Sequence, residues 1–154
     1  MNKRTRTSIA GLALSASAFV AILLHEGYSD KTYIPVPGDV PTIGFGTTDG
    51  VKAGDTITPP KAVEKALRDV TKFEGAIKKC VKVPLYQYEY DAYVSFAYNV
   101  GPAAFCSSTL VKKLNAEDYA GACNELPRWV YAGGKKLKGL ENRREAERKL
   151  CLGN

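Results

Sequence analysis

Hydrophobic and polar positions alternate in three different ways along this chain, and each way predicts a different kind of element. From Ser8 to Leu24 the sequence SIAGLALSASAFVAILL runs for about 17 residues without a charge, the lower limit for crossing a bilayer. Its first half mixes Ala, Gly and Ser with Leu, and only Phe19–Leu24 is strongly apolar. From residue 27 to 57 the pattern breaks into short β-branched runs among Gly, Pro, Thr and Asp. That pattern predicts a small β-hairpin or meander, with Gly38-Asp39 as a turn before a strand over Pro41–Phe45.

After Thr58 the period lengthens. Thr58 with Pro59 and Pro60 is a helix start, with Thr58 as N-cap, and Val63, Ala66, Leu67, Val70 and Phe73 follow at helical spacing. Pro84 leads into a second helix over Tyr86–Val100, with Tyr90, Tyr93, Val94 and Ala97 on one face, ended by Gly101-Pro102. The aromatic stripe from Tyr86 to Tyr98 reads as core, as does Trp129. Shorter helices are expected near Ser107–Leu114, Asp118–Leu126 and Leu140–Leu150, with breaks at Asn115 and Gly133-Gly134. The expected fold class is α+β: a small β-hairpin lobe followed by a mainly helical lobe, with a hydrophobic helix at the N-terminus.

Composition narrows the function. The 154 residues carry 22 Lys and Arg against 16 Asp and Glu, a formal charge of +6, which favours an anionic partner such as nucleic acid, a membrane surface or an acidic polymer. The basic residues are dispersed and no nucleic-acid recognition motif is present, so nucleic acid is not expected as a partner. Four cysteines stand at Cys80, Cys106, Cys123 and Cys151, and His25 is the single histidine. Without close Cys/His spacing neither a metal site nor a cofactor is expected. In an exported chain the even count reads as two disulfides. Three pairings are open; Cys80–Cys106 and Cys123–Cys151 are favoured because each closes a moderate loop between neighbouring helices. Four buried free thiols are the alternative.

The flank MNKRTRT has Lys3, Arg4 and Arg6 and no acid, which predicts a cytoplasmic N-terminus while the apolar segment is inserted. The segment has three readings: a cleaved signal peptide, with Ala16-Ser17-Ala18 as the small-residue site, a permanent anchor, or a segment that enters the membrane and later leaves it. Its marginal hydrophobicity fits the third. Cleavage after Ala18 would also cut into the apolar run before Glu26. A core helix is compatible with the third reading after release.

The chemistry centres on Glu26. It follows Leu23 and Leu24 at the end of the apolar run and precedes a Gly-rich hairpin with hydroxyls and Asp39. Apolar neighbours would raise its pKa and keep it protonated as a general acid. Breaking a glycosidic bond needs such a donor plus a second group acting on water or on the oxocarbenium-like centre.

Several segments together resemble the phage lysozyme family, glycoside hydrolase family 24: H-E-G at 25–27, T-I-G-F-G at 42–46, K-V-P-L at 82–85, S-F-A-Y-N-V-G at 95–101, S-S-T-L at 107–110, R-W-V-Y-A-G-G at 128–134 and G-L-E-N-R-R-E at 139–145. The N-terminal segment is similar to those of signal-arrest-release endolysins in that family. The resemblance covers most of the chain. It implies a lysozyme-like fold, residues 1–24 as a membrane segment and 25–154 as a catalytic domain. It implies hydrolysis of the β-1,4 bond between N-acetylmuramic acid and N-acetylglucosamine in peptidoglycan during host lysis, by a monomer that moves from the host inner membrane to the periplasm.

Residue by residue, Glu26 matches the family's general acid and Thr42 the threonine that positions water in an inverting mechanism. The second carboxylate departs from the family pattern: the position nine after Glu26 is Pro35, and the interval to Thr42 is one residue longer. Asp39 is the first candidate, Asp30 the second; Asp39 otherwise serves its own turn. Arg143 and Arg144 either line the groove or pair with Glu141 and Glu145. No cysteine precedes Cys80, so a disulfide exchange cannot uncage the site, and activation would rest on refolding. A lytic transglycosylase, or a non-enzymatic protein that binds peptidoglycan or disrupts membranes, are the alternatives.

Overall fold

The 17-residue apolar run does not fold as one helix. The computed structural model describes residues 5–154, and Lys3 and Arg4 of the basic flank lie outside them. Within the run, a single 3-10 turn over Ile9–Gly11 is followed by extended chain, and helix α1 begins only at Ala16 and ends at Glu26. Among the described residues no helix is long and apolar enough to cross a membrane.

The chain divides into two compact units. The first comprises the chain up to Ala18 together with Phe73–Asn154. Its centre is α3 (Gln87–Val100), where Tyr90, Tyr93, Phe96 and Ala97 are fully buried, so the stripe read as core is core. The Glu89 carboxylate accepts the Tyr86 N–H at 2.8 Å, closing the first turn. Gly101 ends α3, and Pro102 then opens a further short helix, α4 (Pro102–Ser107). Proline ends one helix and starts the next because its fixed φ and missing N–H suit a first turn.

α5 (Thr109–Asn115) and α6 (Tyr119–Cys123) follow. Asn115 does more than end α5. Its amide donates to Cys80 O at 2.9 Å and accepts from Lys82 N at 2.8 Å, completing the backbone bonds beyond α2. The Gly133-Gly134 break is the two-residue turn of a small hairpin, β3 (Tyr131–Ala132) with β4 (Lys135–Lys136). Both glycines have positive φ, 56° and 76°, as a tight hairpin turn of this type requires.

α7 (Lys138–Cys151) packs on α3 and corrects one expectation. Arg143 and Arg144 do not pair with Glu141 and Glu145. Both are buried and converge on Glu147, which also accepts from Ser95 Oγ at 2.7 Å. Arg143 reaches Ser95 O at 3.1 Å, and Arg144 bonds Trp129 O at 3.0 Å and the side chain of Asn99. Glu141 is taken by Lys136 and Glu145 by Arg148. Spacing of three and four along α7 puts Glu147 on the same face as both arginines. Trp129 packs edge-on to Phe96 at 5.2 Å, in keeping with a core role. Two disulfides cross-link this unit, Cys80–Cys106 and Cys123–Cys151, with Cα–Cα distances of 5.6 and 5.7 Å.

The second unit, Phe19–Lys72, holds the end of α1, the hairpin β1 (Ser29–Tyr33) and β2 (Thr42–Gly44), and most of α2 (Pro59–Cys80). The strands are antiparallel, pairing Ser29 with Gly44 and Tyr33 with Thr42, with an irregularity between. The other edge of β1 is covered by residues 55–57, through Thr32 N to Asp55 O (3.1 Å) and Ile57 N to Asp30 O (2.9 Å). α2 starts at Pro59, where the sequence places it, and Ala62 N–H bonds Thr58 O. Its buried stripe is Ala62, Ala66 and Val70, whereas Val63 and Leu67 are 37% and 53% exposed. The helix turns its small residues inward because β2 comes too close for larger ones. A Cβ on Gly44 would lie 3.0 Å from the Ala62 Cβ.

Candidate active site

Glu26 is the last residue of α1, and it is half-buried. Gly27 stops the helix in the left-handed region at φ 70°, its N–H bonding Leu23 O at 3.0 Å. The chain then turns directly into β1. Of the two leucines that precede Glu26, Leu24 is 79% exposed and Leu23 is half-buried. Helical geometry sends adjacent residues to different faces, so position next to Glu26 in sequence does not put Leu24 over its carboxylate.

What lies against the carboxylate is the hairpin loop. Ile43 and Thr47 exchange two backbone bonds, Ile43 N to Thr47 O at 2.9 Å and Thr47 N to Ile43 O at 3.0 Å, closing a tight loop over Gly44, Phe45 and Gly46. Gly46 has φ 81°, and a Cβ there would stand 2.9 Å from Glu26 Oε2. The two glycines of T-I-G-F-G therefore have separate tasks. Gly44 lets the loop approach α2, and Gly46 lets it approach the acid.

The loop is fastened from behind. Thr47 is buried, and its hydroxyl donates to Asp69 Oδ2 on α2 at 2.7 Å. Burial pushes the Asp69 carboxyl up, the Thr47 bond pulling in the opposite direction. Beside it, Lys72 pairs with Asp49, and Tyr28 packs on Phe45 at 5.5 Å while donating to Ile57 O at 2.8 Å.

Thr42 lies in β2, buried, its hydroxyl donating to Val40 O at 3.1 Å. That bond uses the proton and leaves the oxygen an acceptor. Its cross-strand partner Tyr33 is half-exposed. Partial burial, then the charge of Glu26, push the Tyr33 phenol up. Tyr33 was not singled out in the sequence; its position seven after Glu26, on the strand opposite Thr42, is the signal that could have found it.

Asp39 is exposed, in the turn closed by Asp39 N to Val36 O at 3.0 Å, and its Oδ1 accepts the Val40 N–H at 2.8 Å. Asp30 is also exposed, on β1. Pro35 stands between them, in the exposed stretch that joins the strands. One half-buried carboxylic acid seated on a glycine backbone, a buried hydroxyl available as acceptor and a phenol within reach of the acid's charge form a set suited to proton donation at a polar leaving group.

Residues 24–147 match the model of the phage lysozyme family. The SAR-endolysin of Pseudomonas phage phiKMV is 40% identical over 99% of this chain and 93% of its own length. Among solved structures, the endolysin from Escherichia coli O157:H7 phage FAHEc1 is 39% identical, with a TM-score of 0.79 over 92% of this chain and 94% of that one. The P1 phage endolysin Lyz has been solved in two forms. Its active form matches at 26% identity and TM-score 0.77, over 94% of this chain and 87% of that one. Its secreted inactive form matches at 25% identity and TM-score 0.53, over 68% of this chain and 75% of that one.

Proposed function

From the premise that the chain belongs to the phage lysozyme family, we propose that it hydrolyses the β-1,4 bond between N-acetylmuramic acid and N-acetylglucosamine in peptidoglycan, with Glu26 as general acid, and so lyses the host. The observation that carries this reading is the seat of Glu26: a carboxylate at a helix end, held against the backbone of Gly46 at a distance that excludes any side chain there.

In the proposed reaction Glu26 gives its proton to the glycosidic oxygen as the bond to the muramic acid C1 breaks. A water attacks C1 from the opposite face, and its proton passes to the second carboxylate. Thr42 accepts a hydrogen bond from that water and orients it. Asp39 is proposed as the second carboxylate. One of its oxygens is engaged by the Val40 N–H, which fixes the group in its turn; Asp30 is the alternative. The inverting course needs room for a water between acid and base.

We further propose that residues 1–24 hold the protein in the inner membrane, N-terminus in the cytoplasm, before release to the periplasm. Residues 25–154 then act as the catalytic domain. The likeness to the SAR-endolysin of phage phiKMV supports this. In the inserted state Glu26 would sit about 3 Å beyond the last residue of the spanning helix, at 1.5 Å per residue, where α1 cannot take up the place described here.

The products decide the reaction class. Purified peptidoglycan digested with the released enzyme should yield reducing N-acetylmuramic acid ends. Anhydro ends, detected by mass spectrometry, would instead make the protein a lytic transglycosylase.

A further inference from the structure

The segment from Thr42 to Thr47 carries two of the contacts that the proposed reaction needs, and a side chain outside it holds its far end. Thr42, which orients the water in the reading above, opens the segment. Gly46, against which the Glu26 carboxylate is seated, lies just before its close. The backbone bonds between Ile43 and Thr47, 2.9 and 3.0 Å, tie the two ends into a ring. Ile43 and Thr47 are both 2% exposed. Two of the three residues between them are glycines, which bring no side chain to hold the ring in place.

The ring is therefore placed by what touches it from α2. Gly44 rests against Ala62, where a Cβ would come to 3.0 Å from the Ala62 Cβ. Seven residues further along the helix, Asp69 Oδ2 accepts the Thr47 hydroxyl at 2.7 Å. At 1.5 Å per residue these two supports stand about 10 Å apart along α2. Asp69 follows Ala62 and Ala66, both fully buried, at helical spacing on the same face, and is itself half-buried.

Stability alone gives little reason for a carboxylate at this place. The neighbouring cations are paired elsewhere, Lys72 with Asp49 and Arg68 with Glu64, and they act on Asp69 only through their charge. Burial pushes the Asp69 carboxyl up in spite of the Thr47 bond. An acid whose pKa rises on folding contributes stability that is full below its unfolded pKa and is lost as pH rises through the folded one. At neutral pH the charge on Asp69 thus adds nothing to stability. What it supplies is a short, charge-assisted bond to a buried hydroxyl, next in sequence to the residue that meets Glu26.

We propose that Asp69 is a positioning residue for the reaction: through Thr47 it sets where Gly46 stands against the Glu26 carboxylate and where Thr42 presents its oxygen, and so governs kcat and not substrate affinity. Asp69 touches no reacting group itself. The role rests on the reading of Glu26 as general acid given above.

The test is a double-mutant cycle in the full chain, with Thr47→Val, Asp69→Ala and both together, beside the conservative changes Thr47→Ser and Asp69→Asn. Initial rates on soluble, uncrosslinked peptidoglycan strands give kcat and KM per folded molecule, at a temperature well below each variant's melt. Thr47→Val and Asp69→Ala should each lower kcat roughly tenfold, with KM within about twofold of wild type. The double should fall no further than the worse single, because both changes cut the same bond. Thr47→Ser keeps a hydroxyl donor and Asp69→Asn an acceptor oxygen, and each should recover most of kcat. Should Asp69→Ala fail to fold, Thr47→Val carries the test, since valine has the shape of the buried threonine. Wild-type kcat in folded Thr47→Val, a loss carried by KM alone, losses that multiply in the double, or conservative variants as impaired as the others would each overturn the proposal. Glu26→Gln in the same assay keeps the two ideas apart. If it cleaves at the wild-type rate, the reading of Glu26 fails and the positioning role with it. If it is dead while Thr47→Val keeps wild-type kcat, the positioning role alone fails.

Discussion

The helical unit around α3 and the unit Phe19–Lys72 hold themselves together by different means. The first is fixed several times over: a buried aromatic stripe, two disulfides, and Arg143 and Arg144 closing on Glu147. The second has a short, irregular hairpin, a part-buried hydroxyl–carboxylate bond and two glycines that allow backbone to meet its neighbours closely. It also carries Glu26 and every residue proposed for the chemistry. The residues proposed for the chemistry thus lie in the unit with fewer cross-links, in and around its turns.

The sharpest way to break that division is at Gly46. A methyl group there would lie 2.9 Å from Glu26 Oε2, on a backbone with φ 81°. Gly46→Ala should lower muralytic activity about 100-fold, the scale of a misplaced catalytic group, while costing only about 1–2 kcal/mol of stability. Turbidity loss of treated cells and a urea melt on the same preparation measure the two sides. A variant with full activity would mean that the close approach to Gly46 is unimportant.

Removing Cys123–Cys151 with paired serines is the converse and expected to have a smaller effect on function. A loop of 28 residues is worth roughly 3–4 kcal/mol in the chain-entropy model, so the urea midpoint should fall markedly. Activity per folded molecule should hold. Equal losses in both would show that the two units are not independent.

How far the sequence foretold this structure differs between the same two regions. Helix starts were legible where proline marks them, at Pro59 and Pro102, although the second was read as an end alone. The tight loop was legible in T-I-G-F-G, because closely spaced glycines among β-branched residues signal close backbone approach. Contacts made by long side chains across the fold were not. The spacing of apolar residues on α2 favoured Val63 and Leu67 as inward residues, but the nearness of Gly44 to Ala62 reserves that face for small side chains. Glu147, as common partner of Arg143 and Arg144, gives no signal until α7 meets α3. The extended course of Leu12–Ser15 is set by acids and amides some 60 to 80 residues away, which local hydrophobicity cannot register.

The most direct test of the central claim is muralytic activity of purified, folded chains carrying Glu26→Gln, Asp39→Asn or Asp30→Asn. Loss of at least about 1,000-fold is expected for Glu26→Gln, in line with removal of a general acid and its electrostatic partner role. Asp39→Asn should be similarly impaired and Asp30→Asn active. A Glu26→Gln chain that still cleaves peptidoglycan at the wild-type rate would contradict the account.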